Sequence, residues 1–317
     1  MNVTRLDTNP IIHPGLDERM GTNINGPSLI RVPDWLANPL GRYYLYFAHH
    51  SGDYIRMAYA DDLSGPWTVH MPGVLDLADS YMRHHLASPD VHVDDARREI
   101  RMYYHGPLAP EDRPTGADLE LDDAMFSSQR TRVALSGDGL SFKARPTVVA
   151  GAYLRVWQWD GWYYAVSMPG LLYRSKTGLD KFELGTFIFG DDIAEHTQRL
   201  NRGEGACRHL AVRLLADQAI VQVYYSRMGD QPEHIVMSTL PMTGDWKTWR
   251  ASEPVSVLRP DMDYEGHDCP HVASKRGAIH ERAWQLRDPA VFEEAGRTYL
   301  LYSVAGEYGI GMAQITD

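Results

Sequence analysis

Short runs of alternating apolar and polar residues recur along the whole chain, each pair of runs joined by a polar turn. The pattern is clear in HLASPDVHVDDARREIRMYYHG, residues 85–106, where one strand enters at Ser-Pro-Asp, turns at Asp94-Asp95 and returns through Ile100–Tyr104. Four other stretches repeat it: NGPSLIRVP with RYYLYFAHH (25–33 and 42–50), GAYLRVWQWDGWYYAVS (151–167), GEGACRHLAVRLLADQAIVQVYYS (203–226) and LRDPAVFEEAGRTYLLYS (286–303). Period-two patterning with Tyr, Val and Leu on the return strand predicts β-hairpins. A third strand follows most of them, as in YIRMAYADDLSGPW (54–67), TRVALSGDGLSF (131–142), LLYRSKTGLDKF (171–182) and EHIVMSTLPMTGDW (233–246), and a fourth fits after each turn. Helical periodicity is confined to a short segment near 190–200.

Five four-stranded units predict an all-β chain folded as a five-bladed β-propeller, in which radial repetition hides the sheet edges. A β-sandwich would explain the strands but not the five-fold recurrence. The chain reads as one domain, 1–317, with blades at about 13–75, 76–150, 151–200, 201–258 and 259–317. The last unit runs out after its third strand, so residues 1–12 are expected to supply the missing outer strand and close the ring.

In such blades, the start of the first strand, the end of the second and the start of the third share one face, and the first-strand starts converge on the axis. Reading the same slot in each blade gives Asn25-Gly26, Asp90, Tyr153, Glu204 and Asp288. Strand-two ends add His49-His50, His105, Met168-Pro169, Arg227 and Glu307. The two longest insertions, 106–129 and 259–286, fall on this face too, and long loops gathered at one end of a scaffold mark function. An Asp or Ser beside Pro at a strand start is also ordinary turn chemistry. Three carboxylates at matching positions around one axis, Asp90, Glu204 and Asp288, are a stronger signal, because crowded like charges cost energy.

Composition narrows the partners. The chain has 317 residues, 44% of them hydrophobic, which is ample for a core. A net charge of −11 without a basic cluster argues against nucleic acid. No apolar run reaches the length of a membrane helix. The two cysteines, Cys207 and Cys269, need no disulfide framework. The start, MNVTRLDTNPII, lacks the regions of a secretory signal, so a cytoplasmic location is expected, with a removed leader as the alternative.

The stretches SPDVHVDD…IRMYYHG, GEGACRHL and LRDPAVF resemble strand openings of the five-bladed propeller glycoside hydrolases, the clan of the family-43 and family-32 enzymes. The resemblance spans essentially the whole chain on short motifs. It implies a glycosidase acting on small plant or algal oligosaccharides, exo-acting and inverting, with a carboxylate acid/base pair at the axial cavity. If the Glu-Gly match holds, Glu204 is the general acid. Carried over in register, the family's base falls at Gly26 and its pKa-tuning Asp near Tyr153, and neither is a carboxylate. Rotated by one blade, Asp90, Glu204 and Asp288 become base, tuner and acid. Expected sugar contacts are Asn25, His49, His105, Tyr153, Arg208, His209, His267, Trp284 and Arg287, with Glu265 as a reserve acid. No cofactor is required in this reading, and some clan members carry a structural divalent cation in the central channel. The alternatives are a metal-dependent polysaccharide or uronate lyase, prompted by the histidines, a glycoside phosphorylase, and a non-catalytic carbohydrate-binding propeller.

Overall fold

The computed structural model describes residues 1–113, 129–190, 193–202 and 204–316. Most of the 106–129 insertion, residues 114–128, lies outside them.

The chain opens on a short strand, β1 (Asn2–Arg5), and then builds four sheets in succession. The first is β2 (Asn25–Arg31), β3 (Tyr43–Ala48), β4 (Tyr54–Ala60) and β5 (Thr68–Asp76). The second is β6 (Ala87–Asp94), β7 (Glu99–Pro107) and β8 (Gln129–Ser136), edged by the two-residue strands β9 (Lys143–Ala144) and β10 (Ala150–Gly151). The third is β11 (Arg155–Trp159), β12 (Trp162–Ser167), β13 (Leu171–Ser175) and β14 (Glu183–Phe187). After the helix α1 (Ile193–Arg202) comes the fourth, β15 (Ala206–Leu215), β16 (Ile220–Met228), β17 (Ile235–Pro241) and β18 (Val255–Leu258). The fifth sheet takes β19 (Arg287–Glu294), β20 (Arg297–Ser303) and β21 (Ile310–Thr316) in order, and its fourth strand is β1, antiparallel to β21 with Asn2 opposite Thr316. The fold is thus the five-bladed propeller expected from the repeat, closed by the N-terminal strand.

Apart from β1 and β10, each strand pairs with its chain neighbour, so every blade is an up-and-down meander. The core lies between blades. One apolar cluster joins blades one and two around Tyr44, Tyr46, Met102 and Tyr104; others join blades two and three around Val133 and Tyr173, three and four around Val223 and Trp246, four and five around Tyr224 and Leu300, and five and one around Leu45 and Leu301. The many tyrosines fit this role because the ring fills the gap while the hydroxyl still finds a partner: Tyr46 donates to Gly139 O (2.9 Å) and Tyr104 to Ser80 O (2.6 Å). Burying one such side chain contributes on the order of 2 kcal/mol.

The closing strand is held by more than its ladder. Arg5 donates from Nε to Glu265 Oε1 (2.8 Å) and from Nη2 to Oε2 (2.9 Å), and the Tyr302 hydroxyl donates to Glu265 Oε1 (3.0 Å). Glu265 is fully buried and also accepts from the amides of Asp261 and Met262. The carboxylate expected as a reserve acid is therefore a structural anchor, because every one of these partners holds it at the seam of the ring. Among the described residues no helix is long and apolar enough to cross a membrane.

Candidate functional site

The same irregularity opens the innermost strand of every blade. In four blades the β-ladder slips by one residue there: between Asn25 and Ser28, Ala87 and Asp90, Cys207 and Leu210, and Arg287 and Ala290. In blade three the amide of Met168 reaches Ala152 O before regular pairing starts at Arg155. The slot residues left by this bulge are Gly26, Ser88, Tyr153, Arg208 and Asp288. Four of them have a left-handed backbone: Gly26 (φ 64°), Ser88 (46°), Tyr153 (58°) and Asp288 (45°). That conformation is costly for a side chain, and its repetition around one axis marks the face on which function is to be sought.

This register corrects two slots expected from the sequence. In blade two the slot holds Ser88, and Asp90 lies beyond the bulge. Asp90 accepts from the Val156 amide (2.9 Å) and pairs with His92 Nε2 (2.8 Å), tying the first strands of blades two and three together. In blade four the slot holds Arg208, and Glu204 lies before the bulge, in the exposed turn after α1, paired with Arg202 (2.8 Å). The structure does not bring Asp90 and Glu204 together with Asp288.

Two other carboxylates are tied to Arg287, the residue before Asp288. Glu307 follows β20 and Glu233 precedes β17, and both are fully buried. Arg287 links them, with Nη1 2.9 Å from Glu307 Oε1 and Nε 3.4 Å from Glu233 Oε2. Arg208 Nη1 also lies 3.4 Å from Glu233 Oε2, and Ser226 donates to Glu233 Oε1 (2.7 Å). Glu307 accepts from Asn23 (2.8 Å) and Asn25 (3.4 Å) and faces His50 Nδ1 (3.3 Å). Burial alone would push the Glu307 carboxyl up, but His50, Arg287 and Asn23 overcome it and hold the group well below the usual range. Asp288 accepts from Ser303 (3.0 Å), and Nδ1 of His209 lies against its other oxygen. Burial raises the Asp288 carboxyl, and His209 with Arg208 more than offsets the rise.

An aromatic wall completes the mouth. The half-buried Tyr153 ring lies between His105 (centroids 3.9 Å apart) and His209 (4.4 Å). His105 is buried with neither ring nitrogen hydrogen-bonded among the described residues, and burial, with His85 and His209 nearby, puts its pKa well below the ordinary value. Segment 275–279 crosses over the cluster: Arg208 donates to Lys275 O (2.8 Å) and Gly277 O, Arg287 to Gly277 O (3.3 Å), and Asn23 to Ile279 O (3.0 Å).

Of the expected contacts, Asn25, His105, Tyr153, Arg208, His209 and Arg287 are gathered here with Asp288. His49 stands at the rim, its ring 6.4 Å from that of His280. His267 and Trp284 belong to the outer loop, where Trp284 stacks on His271 (3.5 Å) and donates to Pro260 O (2.8 Å). Among the described residues no three His, Cys, Asp or Glu are arranged to hold a metal ion. Glu233 was missed by the sequence reading, although it opens the third strand of its blade, a position expected on this face. A cluster of three carboxylates, two guanidiniums and a carboxylate–imidazole pair can hold a polar ligand and move a proton within it.

No family model matches the chain. An uncharacterized protein of Acanthamoeba polyphaga mimivirus is 36% identical over 339 aligned residues, covering 99% of this chain and 90% of the relative. Among solved structures, a family-43 glycoside hydrolase of Xanthomonas citri, in complex with xylotriose, superposes with a TM-score of 0.58 at 13% identity, covering 94% of this chain and 88% of that one. A family-43 β-xylosidase/α-arabinofuranosidase from a compost microbial metagenome gives 0.59 at 14% identity, covering 99% and 96%. An endo-1,4-β-xylanase of Bacteroides thetaiotaomicron gives 0.56 at 12% identity, covering 92% and 89%. The chain belongs to the same family as the mimivirus protein and has the five-bladed propeller fold of the family-43 glycoside hydrolases.

Proposed function

We propose that the protein is a glycoside hydrolase that cleaves small plant or algal oligosaccharides at the axial mouth. The observation that carries this reading is the buried cluster of Asp288, Glu233 and Glu307 around Arg208 and Arg287, on the face where first-strand starts converge. Glycoside cleavage needs one carboxyl to protonate the leaving oxygen and a second carboxylate near the anomeric carbon or its water. Asp288 and Glu233 are assigned as this pair, with His209 backing Asp288. Glu307, whose oxygens are taken by Arg287, His50 and the two asparagines, sets the field they work in. The arch of 275–279 over the mouth supports attack at a chain end, hence exo action, and inversion is part of the reading.

The experiment is hydrolysis of aryl glycosides, xylo-oligosaccharides and arabino-oligosaccharides by wild type, Asp288→Asn, Glu233→Gln, Asp90→Asn and Glu204→Gln, each with and without EDTA. Activity that survives EDTA, drops at least 100-fold in the first two variants and holds within a few-fold in Glu204→Gln supports the assignment. Collapse in Glu204→Gln with an unaffected Asp288→Asn would return the acid role to Glu204. The configuration of the first-formed sugar, read by NMR, tests inversion.

One observation favours a second reading, a carbohydrate-binding propeller without turnover. Gly26 and Tyr153 occupy slots where the family-43 resemblance asks for carboxylates. Sugar binding by wild type with no hydrolysis of any glycoside in the panel would select it.

A further inference from the structure

A separate cavity of about 160 Å³ lies in the groove between blades three and four, beside α1. Its wall includes Phe189, His196, Arg199, Tyr225, Arg227 and Glu253. It also includes Cys207, whose successor Arg208 belongs to the axial cluster, and Arg227 is the ladder partner of Cys207. The bulge between Cys207 and Leu210 thus sets the cavity wall and the axial cluster next to each other at the mouth end of β15.

His196 is 9% exposed, with its ring 4.8 Å from Phe187 and nearly parallel to Phe189 at 6.3 Å, and its Nε2 has no hydrogen-bond partner among the described residues. That atom is itself closed to solvent, and a small turn of the ring toward the cavity would bring it to a ligand that supplies a partner. Phe189 and Tyr225 (centroids 4.8 Å apart) add apolar ring surface. The charges in the wall are of both signs. Arg227 is already neutralised by Asp230 (2.9 Å), and Glu253 would repel an anion, whereas Arg199 and Glu253 together offer donors and acceptors. Ring faces with mixed donors and acceptors suit a polyhydroxylated neutral molecule rather than a phosphate or a hydrocarbon. The volume equals that of about five liquid waters, room for one sugar ring.

We propose that this cavity is an outlying subsite that holds one neutral sugar ring of an oligosaccharide whose other end occupies the axial mouth. The inference rests on the carbohydrate reading above and adds a second point of attachment to it. An aromatic face would carry the ring, and His196 Nε2, Arg199 and Glu253 would take its hydroxyl groups.

The test is calorimetric binding of xylotriose, arabinotriose, xylose and sulfate to wild type, Arg199→Ala, His196→Phe and Asp288→Asn. Arg199 is exposed on α1 and its Nε donates to Glu204 O (3.1 Å), so its truncation removes one surface turn contact and leaves the core untouched even if His196→Phe does not. The expected result is a trisaccharide Kd raised about ten-fold in Arg199→Ala and His196→Phe, with xylose affinity and aryl monoglycoside turnover unchanged. Equal trisaccharide affinity in wild type and both variants overturns the subsite, as does sulfate binding that depends on Arg199. A wild type that binds no sugar overturns the carbohydrate reading itself. Binding that depends on Arg199 without turnover leaves the subsite standing and removes the hydrolase.

Discussion

Nη1 of Arg287 stands 2.9 Å from Oε1 of Glu307, and neither side chain is more than 1% exposed. The same guanidinium also reaches Glu233, so one cation serves two fully buried carboxylates. Removing it leaves Glu307 with His50 and two asparagines and Glu233 with Arg208 and Ser226, in a place water barely reaches. Arg287→Leu should therefore cost about 3–5 kcal/mol, the usual consequence of breaking a buried ion pair from one side. Urea denaturation compares it with Arg287→Leu/Glu307→Gln. The double variant should recover part of the loss, and a single variant as stable as wild type would contradict the arrangement.

Gly26 explains why the first blade carries no carboxylate at its slot. Its φ is 64°, and a Cβ built there would lie 3.1 Å from Ser88 Cα, a backbone atom that cannot turn aside. Tyr153 and Asp288 carry side chains in the same conformation, so the handedness alone is tolerated; the close approach of the neighbouring blade is what disfavours one at Gly26. Gly26→Asp should thus fail to restore a family-43-like base. It should lower stability by about 1–2 kcal/mol from the left-handed backbone alone, with more added by the contact, and leave turnover no higher. A rise in activity in that variant would refute this.

The five blades were legible because the period-two alternation, the polar turns and the tyrosine-rich second strands repeat with each unit. Ring closure was legible because the fifth unit lacks a strand. The site was legible only in part. Tyr153, Asp288, His50, His105 and Glu307 are legible because they sit where strand ends must converge, whereas Arg227, read by the same rule, faces the cavity beside α1. Asp90 and Glu204 were misplaced because a bulge adds a residue to the ladder without any mark in the sequence: aligning on carboxylates overran the bulge in blade two and stopped short of it in blade four. Glu233 stayed hidden because Pro232-Glu233-His234 reads as ordinary turn chemistry. Its significance comes from Arg287, which a different blade delivers.

The seam of the ring can be opened at one residue. Glu265 is bonded at both oxygens to Arg5 and also receives Tyr302 and two backbone amides. Glu265→Gln removes the charge and leaves the largely buried Arg5 with only Asp261 and the Arg259 carbonyl among its described partners, so a loss of about 3 kcal/mol is expected. The loss should be local. Hydrogen exchange should accelerate first in β1 and β21, with blades two and three unchanged. Uniform acceleration through all blades would show that the seam does not set the order of opening.

Acid should weaken the protein through its buried imidazoles before it touches the paired carboxylates. Burial lowers His105 and His209, and brings His85 and His196 down to about 4 from an ordinary 6.5. Between those values the unfolded chain binds protons that the folded chain refuses, so stability falls as pH falls. The contribution is complete above about pH 6.5 and gone below about pH 4. Asp288 and Glu307, held below their ordinary values by the cations around them, stay ionised through this window and add their loss only at lower pH. The melting temperature should accordingly be level from pH 8 to 7 and then decline by several degrees toward pH 4.5. His196→Phe should flatten part of that decline, because one refusing imidazole is gone. A profile level down to pH 4.5 would mean that these histidines are protonated in the folded protein and are not buried as described.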